Sequence, residues 1–210
     1  MEVLAPVVLL VTLKIESDKI LLKYSVENKS GAEIFLVNHL TRYEPGKGWI
    51  PDAKVIYVAL DDQQTIELSK RVPPVPDNRL VTPRDYYVTP LPDGERLEEE
   101  IALSIPLREN RPYDALIEPI PEPREIETAL SFSMGYFESL PNIEAKKVVV
   151  HDVPTYDLVP RNPPSVPGAG LSDSENQQAE GATTLKEIIL KSEPIKVKLQ
   201  VISLPKKVRS

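Results

Sequence analysis

A two-residue alternation of apolar and polar side chains constrains this chain more than any other feature. In Lys19–Asn28, Ile20, Leu22, Tyr24 and Val26 fall on one side, and Lys23, Ser25 and Glu27 on the other. Residues 96–107 repeat the pattern, with Leu97, Ile101, Leu103 and Ile105 set against Glu98, Glu100, Ala102 and Ser104. It recurs over 125–138 and 195–204. Successive strand side chains face opposite sides of a sheet, so this spacing describes half-buried strands with one packed and one wetted face. The expected fold class is all-β. Glu99 falls on the apolar side of its segment, which places it near a strand end, where it reaches water.

Further strands are expected at Val7–Ile15, 33–40, 53–60, 65–69 and 85–89, and a weaker one at 145–150. The links at 16–18 and 29–31 are short and rich in turn formers, which favours an antiparallel meander for the first three strands. Residues 43–52, with Pro45, Gly46, Gly48, Trp49 and Pro51, read as a loop. Proline cannot donate to a sheet ladder, so the proline-rich stretches 72–83 and 111–123 read as extended crossings. About eight to ten short strands joined by turns and stiff crossings fit an antiparallel β-sandwich, immunoglobulin-like in general pattern. Residues 160–183 offer almost nothing to bury and read as a disordered loop inside a single domain spanning 1–210. Over 184–204, Thr184 followed by Glu187 fits a helix capping box, and Leu185, Ile188 and Ile189 make one apolar stripe. A short helix at 185–191 is therefore expected before the closing strand. That strand has no stability alone and is expected to pair with the main sheet.

Charge narrows the choice of partners. The net charge of −7 argues against nucleic acid, which requires a concentrated basic face. The distribution is uneven: seven basic residues against two acidic ones over 183–210 give that segment +5, leaving −12 for the remainder. A basic terminal strand docking on an acidic body accounts for this. With no cysteine, disulfide scaffolds, thiol nucleophiles and cysteine-bearing zinc sites are excluded. The apolar run 6–13 is too short to span a bilayer and lacks a basic segment before it, so no membrane association is expected. With Met1 as the native start, a cytoplasmic location is expected.

Candidate chemistry is thin, and no catalytic residue, metal site or cofactor is expected. The two histidines, His39 and His151, lie at strand ends; Asp152 beside His151 would point to the opposite face of a strand and so could not orient it. No serine sits in a nucleophile elbow. Asp173, Glu175 and Asn176 supply oxygens without the spacing of a calcium loop. Gly46-Lys47-Gly48 is too short to cradle phosphate. Asn28-Lys29-Ser30 is a formal glycosylation sequon placed in a turn, where asparagine is favoured in any case.

Two sets of residues offer binding chemistry. The aromatics Tyr43, Trp49, Tyr86 and Tyr87 could form a ligand platform, against which stands their use as ordinary core. Arg71, Pro73, Pro74 and Pro76 sit in a stiff tract of the kind that docks in partner grooves with little entropy lost. Proline in such crossings also serves simply for rigidity. The leading expectation is a non-enzymatic interaction module that presents proline-stiffened loops or an edge strand to a protein partner. A proteinase inhibitor using 71–78 is one version. The alternatives are a carbohydrate-binding module built on the aromatics, a structural subunit of a larger assembly, and a hydrolase using His151 with carboxylates.

Overall fold

A computed structural model describes residues 6–61, 65–72, 85–110, 121–161 and 185–203. The first two strands form at the expected bounds, β1 (Val7–Ile15) and β2 (Lys19–Asn28), joined by a tight hairpin. They continue as β3 (Ile34–Glu44), β4 (Gly48–Asp52), β5 (Tyr57–Leu60), β6 (Ile66–Lys70) and β7 (Tyr87–Leu91). Then come β8 (Arg96–Ser104), β9 (Leu107–Arg108), β10 (Arg124–Glu138), β11 (Ile143–Val150), β12 (Val153–Pro160), β13 (Ile188–Lys191) and β14 (Ile195–Ile202). The described residues are all-β, with no helix, in two sheets that do not close into a barrel.

The smaller sheet has the order β1-β2-β8 and is antiparallel throughout. The larger runs β11-β12-β7-β3-β10-β14-β9, with β13 and β6 also on β10, β5 on β6 and β4 on β3. It is mixed, because β6 lies parallel to β10 and β9 parallel to β14. Side chains from both sheets meet in one apolar cluster: Ile20, Leu22, Tyr24, Val26 and Ile101 from the smaller, with Leu36, Ile66, Leu68, Leu130 and Phe132 from the larger. Phe35, Val37, Leu40, Val88 and Phe137 form a second cluster. Neighbouring β3 residues thus serve different clusters, which is why Ile34–Val37 reads as a continuous apolar run and not as an alternation.

The larger sheet is mixed where an antiparallel one was expected. Fourteen strands form among the described residues in place of about eight to ten, because hairpins such as β3–β4 and β11–β12 take up segments expected as loop or tail. Four further expectations are corrected. The meander ends at β2, because β3 joins the larger sheet beside β7 and β10. The link is anchored by Asn28, fully buried, whose Nδ2 donates to the carbonyls of Ala32 (2.7 Å) and Leu91 (2.8 Å). Second, 43–52 is not a loop: β3 and β4 form a hairpin through Pro45-Gly46-Lys47, Gly46 holding a φ of +84° that glycine adopts without strain.

Third, β12 appears in a segment that Pro154 and Pro160 disguised; it pairs with β11 along its whole length. His151 and Asp152 form the two-residue turn between them, both at positive φ (48° and 66°), as a primed hairpin turn requires. They are turn residues, not strand neighbours.

Fourth, the expected helix at 185–191 is absent. Ile188–Lys191 pairs antiparallel with β10, turning Ile188 and Leu190 toward the first cluster and leaving Ile189 46% exposed. A helix of two turns is marginal in water, whereas a strand on β10 satisfies its backbone and packs two half-buried side chains on the first cluster. Glu187 is not a capping residue. Its carboxylate accepts the Val72 amide at 2.7 Å and lies over Gly135, where a Cβ would collide with it.

The closing strand β14 pairs with β10 as expected, and Lys198 meets Glu125 at 2.8 Å, basic strand against acidic neighbour.

Candidate functional site

The densest polar chemistry lies between the two sheets, and a bulge creates it. Along β3 and β7, Val37 faces Val88 and His39 faces Tyr87, so Asn38 is the extra residue. A bulge bends its strand and re-aims a side chain. Asn38 is buried, and its carboxamide meets four other side chains, those of Tyr24, Lys70, Glu99 and, at 3.4 Å, Thr89.

Lys70, at the end of β6, shares the face of Ile66 and Leu68 and is fully buried. Its Nζ donates to Asn38 Oδ1 (2.8 Å), to the Asn38 carbonyl (3.0 Å), to Glu99 Oε2 (2.9 Å) and to the Ala53 carbonyl. It also lies 5.6 Å from the Tyr24 ring centre. Glu99 is in the middle of β8 opposite Tyr24, not at a strand end. It has 15% side-chain exposure and is anchored by charge and hydrogen bonds in place of water. Its Oε1 accepts Asn38 Nδ2 at 2.9 Å. The Tyr24 hydroxyl is within hydrogen-bond reach of both Glu99 Oε2 and Asn38 Oδ1, the latter at 3.1 Å. Tyr24 packs on Phe132 with ring centres 4.8 Å apart, which walls the group with aromatic surface.

Burial pulls the Lys70 ammonium below the usual lysine range, against the attraction of Glu99. Burial alone would raise Glu99. The Lys70 charge and the hydrogen bonds from Tyr24, Asn38 and Lys70 outweigh it and hold the carboxyl below its ordinary value. The Tyr24 hydroxyl is driven upward, by burial first and by the Glu99 charge second, so it stays a donor. The resting pair is therefore ionic. His39 borders the cluster, with Nδ1 buried and without a hydrogen-bond partner among the described residues. Burial, followed by the Lys70 charge, lowers its pKa.

Sequence reading missed Asn38, Lys70 and Tyr24 as a group. The signal was there: a lysine on the apolar face of one strand and a glutamate on the apolar face of another are two opposite charges that must find each other.

The four aromatics singled out from sequence separate into two places. Tyr43 and Trp49 are a cross-strand pair on the β3–β4 hairpin, 58% and 38% exposed, with ring centres 5.4 Å apart and planes inclined at 59°. Tyr86 stacks on Phe137 at 5.9 Å and belongs to the second cluster, while Tyr87 is half-buried opposite His39. Arg71 reaches Glu67 at 4.0 Å. Pro73, Pro74 and Pro76 lie outside the described residues, as do Asp173, Glu175 and Asn176 and almost all of 160–183. His151 sits exposed at its hairpin tip. Among the described residues no three histidine or carboxylate side chains converge to hold a metal ion, and no helix is long and apolar enough to cross a membrane.

A second feature is the edge of the smaller sheet. Among the described residues β1 pairs with β2 alone. Lys29 N–H bonds the Pro6 carbonyl and Glu16 N–H bonds the Lys19 carbonyl, which fixes the ladder's phase. Val8, Leu10, Thr12 and Lys14 therefore turn their backbone toward β2, and Val7, Leu9, Val11, Leu13 and Ile15 turn theirs away. The side chains of Leu9, Val11 and Leu13 pack on the first cluster; Leu10 is 55% exposed on the outer face. β13 lies close to β1, and its Ile188 and Leu190 pack on the same cluster as Leu9, Val11 and Leu13.

No family model matches the chain, and neither does any curated protein or solved structure.

Proposed function

We propose that the protein is a non-enzymatic interaction module, a β-sandwich of generally immunoglobulin-like pattern, that accepts an extended protein segment along β1. The observation that carries this reading is the outward-facing backbone of Val7, Leu9, Val11, Leu13 and Ile15. A row of unpaired amides and carbonyls on an edge is a template for an added strand, which supplies its own main-chain hydrogen bonds. The sandwich reading rests on the apolar cluster to which both sheets contribute. The partner is a strand with apolar residues at alternate positions. These enter the seam lined by Leu9, Val11, Leu13, Ile188 and Leu190, and a carboxylate stands opposite Lys14.

A fluorescently labelled peptide of alternating valine and glutamate, titrated against the protein and followed by anisotropy, tests this. Saturable binding is expected, and Val11→Pro should weaken it about fivefold or more, since it deletes one outward N–H worth about 1 kcal/mol. Proline is tolerated at an edge position whose N–H faces solvent. Tyr43→Ala should leave binding unchanged. Absent binding, or equal binding by Val11→Pro, overturns the reading; loss in Tyr43→Ala moves the site to the exposed aromatic pair of the carbohydrate-binding alternative.

A further inference from the structure

Lys70, Asn38 and Glu99 stand in the relation that an amide exchange requires. A nucleophilic amine lies against a carboxamide, and one carboxylate touches both the amine and the group that would leave. We infer that the chain forms an internal amide cross-link between Lys70 Nζ and Asn38 Cγ, with Glu99 as the catalytic carboxylate and ammonia as the product released.

The step balances without any co-reactant. Lys70 as the free amine attacks Asn38 Cγ, forming the new C–N bond. The Asn38 Cγ–Nδ2 bond breaks and Nδ2 departs as ammonia, so a primary amine and a primary amide become one secondary amide. Glu99 is placed to move the proton this requires: Oε2 is 2.9 Å from Lys70 Nζ and Oε1 is 2.9 Å from Asn38 Nδ2. One oxygen takes the proton from the nucleophile as the other faces the leaving nitrogen. The Tyr24 hydroxyl, which rests on Glu99 Oε2 and lies 3.1 Å from Asn38 Oδ1, can turn its one hydrogen to Oδ1 as Glu99 takes up a proton, and so donate to the oxygen on which negative charge develops.

Two features of the surroundings favour the reaction over a simple ion pair. The resting pair is ionic, but the amine is fully buried, and one proton passing over the 2.9 Å from Nζ to Glu99 Oε2 turns the pair into the neutral amine and neutral acid that attack requires, a step a medium of low dielectric constant makes less costly than it is in water. The reactants are also held in contact by the fold itself, which makes the step unimolecular. β6 fixes the lysine, the bulge in β3 aims the asparagine, and β8 of the opposite sheet delivers the glutamate. The product would tie β3 to β6, closing a loop between residues 32 apart in sequence and restricting the unfolded chain.

Intact-mass spectrometry of the purified full chain reads the bond directly. The expected mass is below the sequence mass by one ammonia, and a protease digest should contain the Lys70 peptide joined to the Asn38 peptide. Asn38→Asp should form the same bond by losing one water from its own sequence mass, a signature that a purely structural role for the cluster cannot produce. Glu99→Gln and Lys70→Arg should retain their full masses while circular dichroism shows the strand content kept. A folded wild-type chain at its full sequence mass overturns the inference, as does loss of ammonia without a joined peptide. Cross-linking that persists in Glu99→Gln removes Glu99 from the chemistry. The peptide-binding test at β1 reads a different place, so either proposal survives failure of the other.

Discussion

Burying a charged side chain costs several kcal/mol unless its hydrogen-bonding capacity is met within the protein. Lys70 meets that condition with four oxygen acceptors, and Glu99 with donors from Lys70, Asn38 and Tyr24. His39 does not, since its Nδ1 has no partner among the described residues. Its imidazole is held below the usual value near 6.5 by burial and by Lys70, with Glu99 and Asp52 opposing. The sign follows from linkage. Between the folded and unfolded pKa values the unfolded chain binds more protons, so stability rises with pH across that window. His39 thus contributes stability that is full above about 6.5 and is lost as pH falls toward its depressed folded value. Urea unfolding of wild type and His39→Gln at a series of pH values checks this. The wild type should lose more stability than the variant on acidification below pH ~6.5, and parallel curves would remove His39 as the cause.

At the scale of elements, β1 and β12 show how strand context decides what a residue contributes. Every second amide of β1 faces away from its partner, and this makes a sharp forecast for hydrogen exchange. Val8, Leu10, Thr12 and Lys14 should exchange slowly, while Leu9, Val11 and Leu13 exchange quickly in the isolated protein. Uniform protection along the strand, measured by NMR, would show that the edge is already occupied by the protein's own chain. In β12, Pro154 and Pro160 stand opposite Val149 and Ile143 without abolishing the pairing. The two-residue turn holds the hairpin in register while these positions give up their donors.

For the molecule as a whole, the segment after residue 184 decides whether the larger sheet is complete. β13 and β14 both pair with β10, and Leu199 and Val201 are buried in the cluster shared by the two sheets. Full burial of two such side chains is worth about 3–6 kcal/mol, at ~1.5–3 kcal/mol each. That is a large share of the roughly 5–15 kcal/mol by which domains are stable. A chain ending at residue 184 should therefore lose its cooperative urea transition, or show it at a much lower midpoint. An unchanged midpoint would make these strands an appendage and not part of the core.

The sequence by itself determined the all-β class and the bounds of β1 and β2, because alternation at period two is a local property of the pleat. It also carried the charges on apolar faces, Lys70 in β6 and Glu99 in β8, though not their meeting. It misled at 185–191, where Leu185, Ile188 and Ile189 fit a helical stripe while Ile188 and Leu190 fit one face of a strand, and an available edge on β10 settled the choice. Only the tertiary structure decided that β3 leaves the first sheet, and that a bulge at Asn38 aims a carboxamide at a lysine 32 residues further on. Strand pairing joins residues distant in sequence through backbone groups that every residue carries. Its partners are therefore selected by which apolar faces close over one another, a property of the assembled molecule and not of any segment.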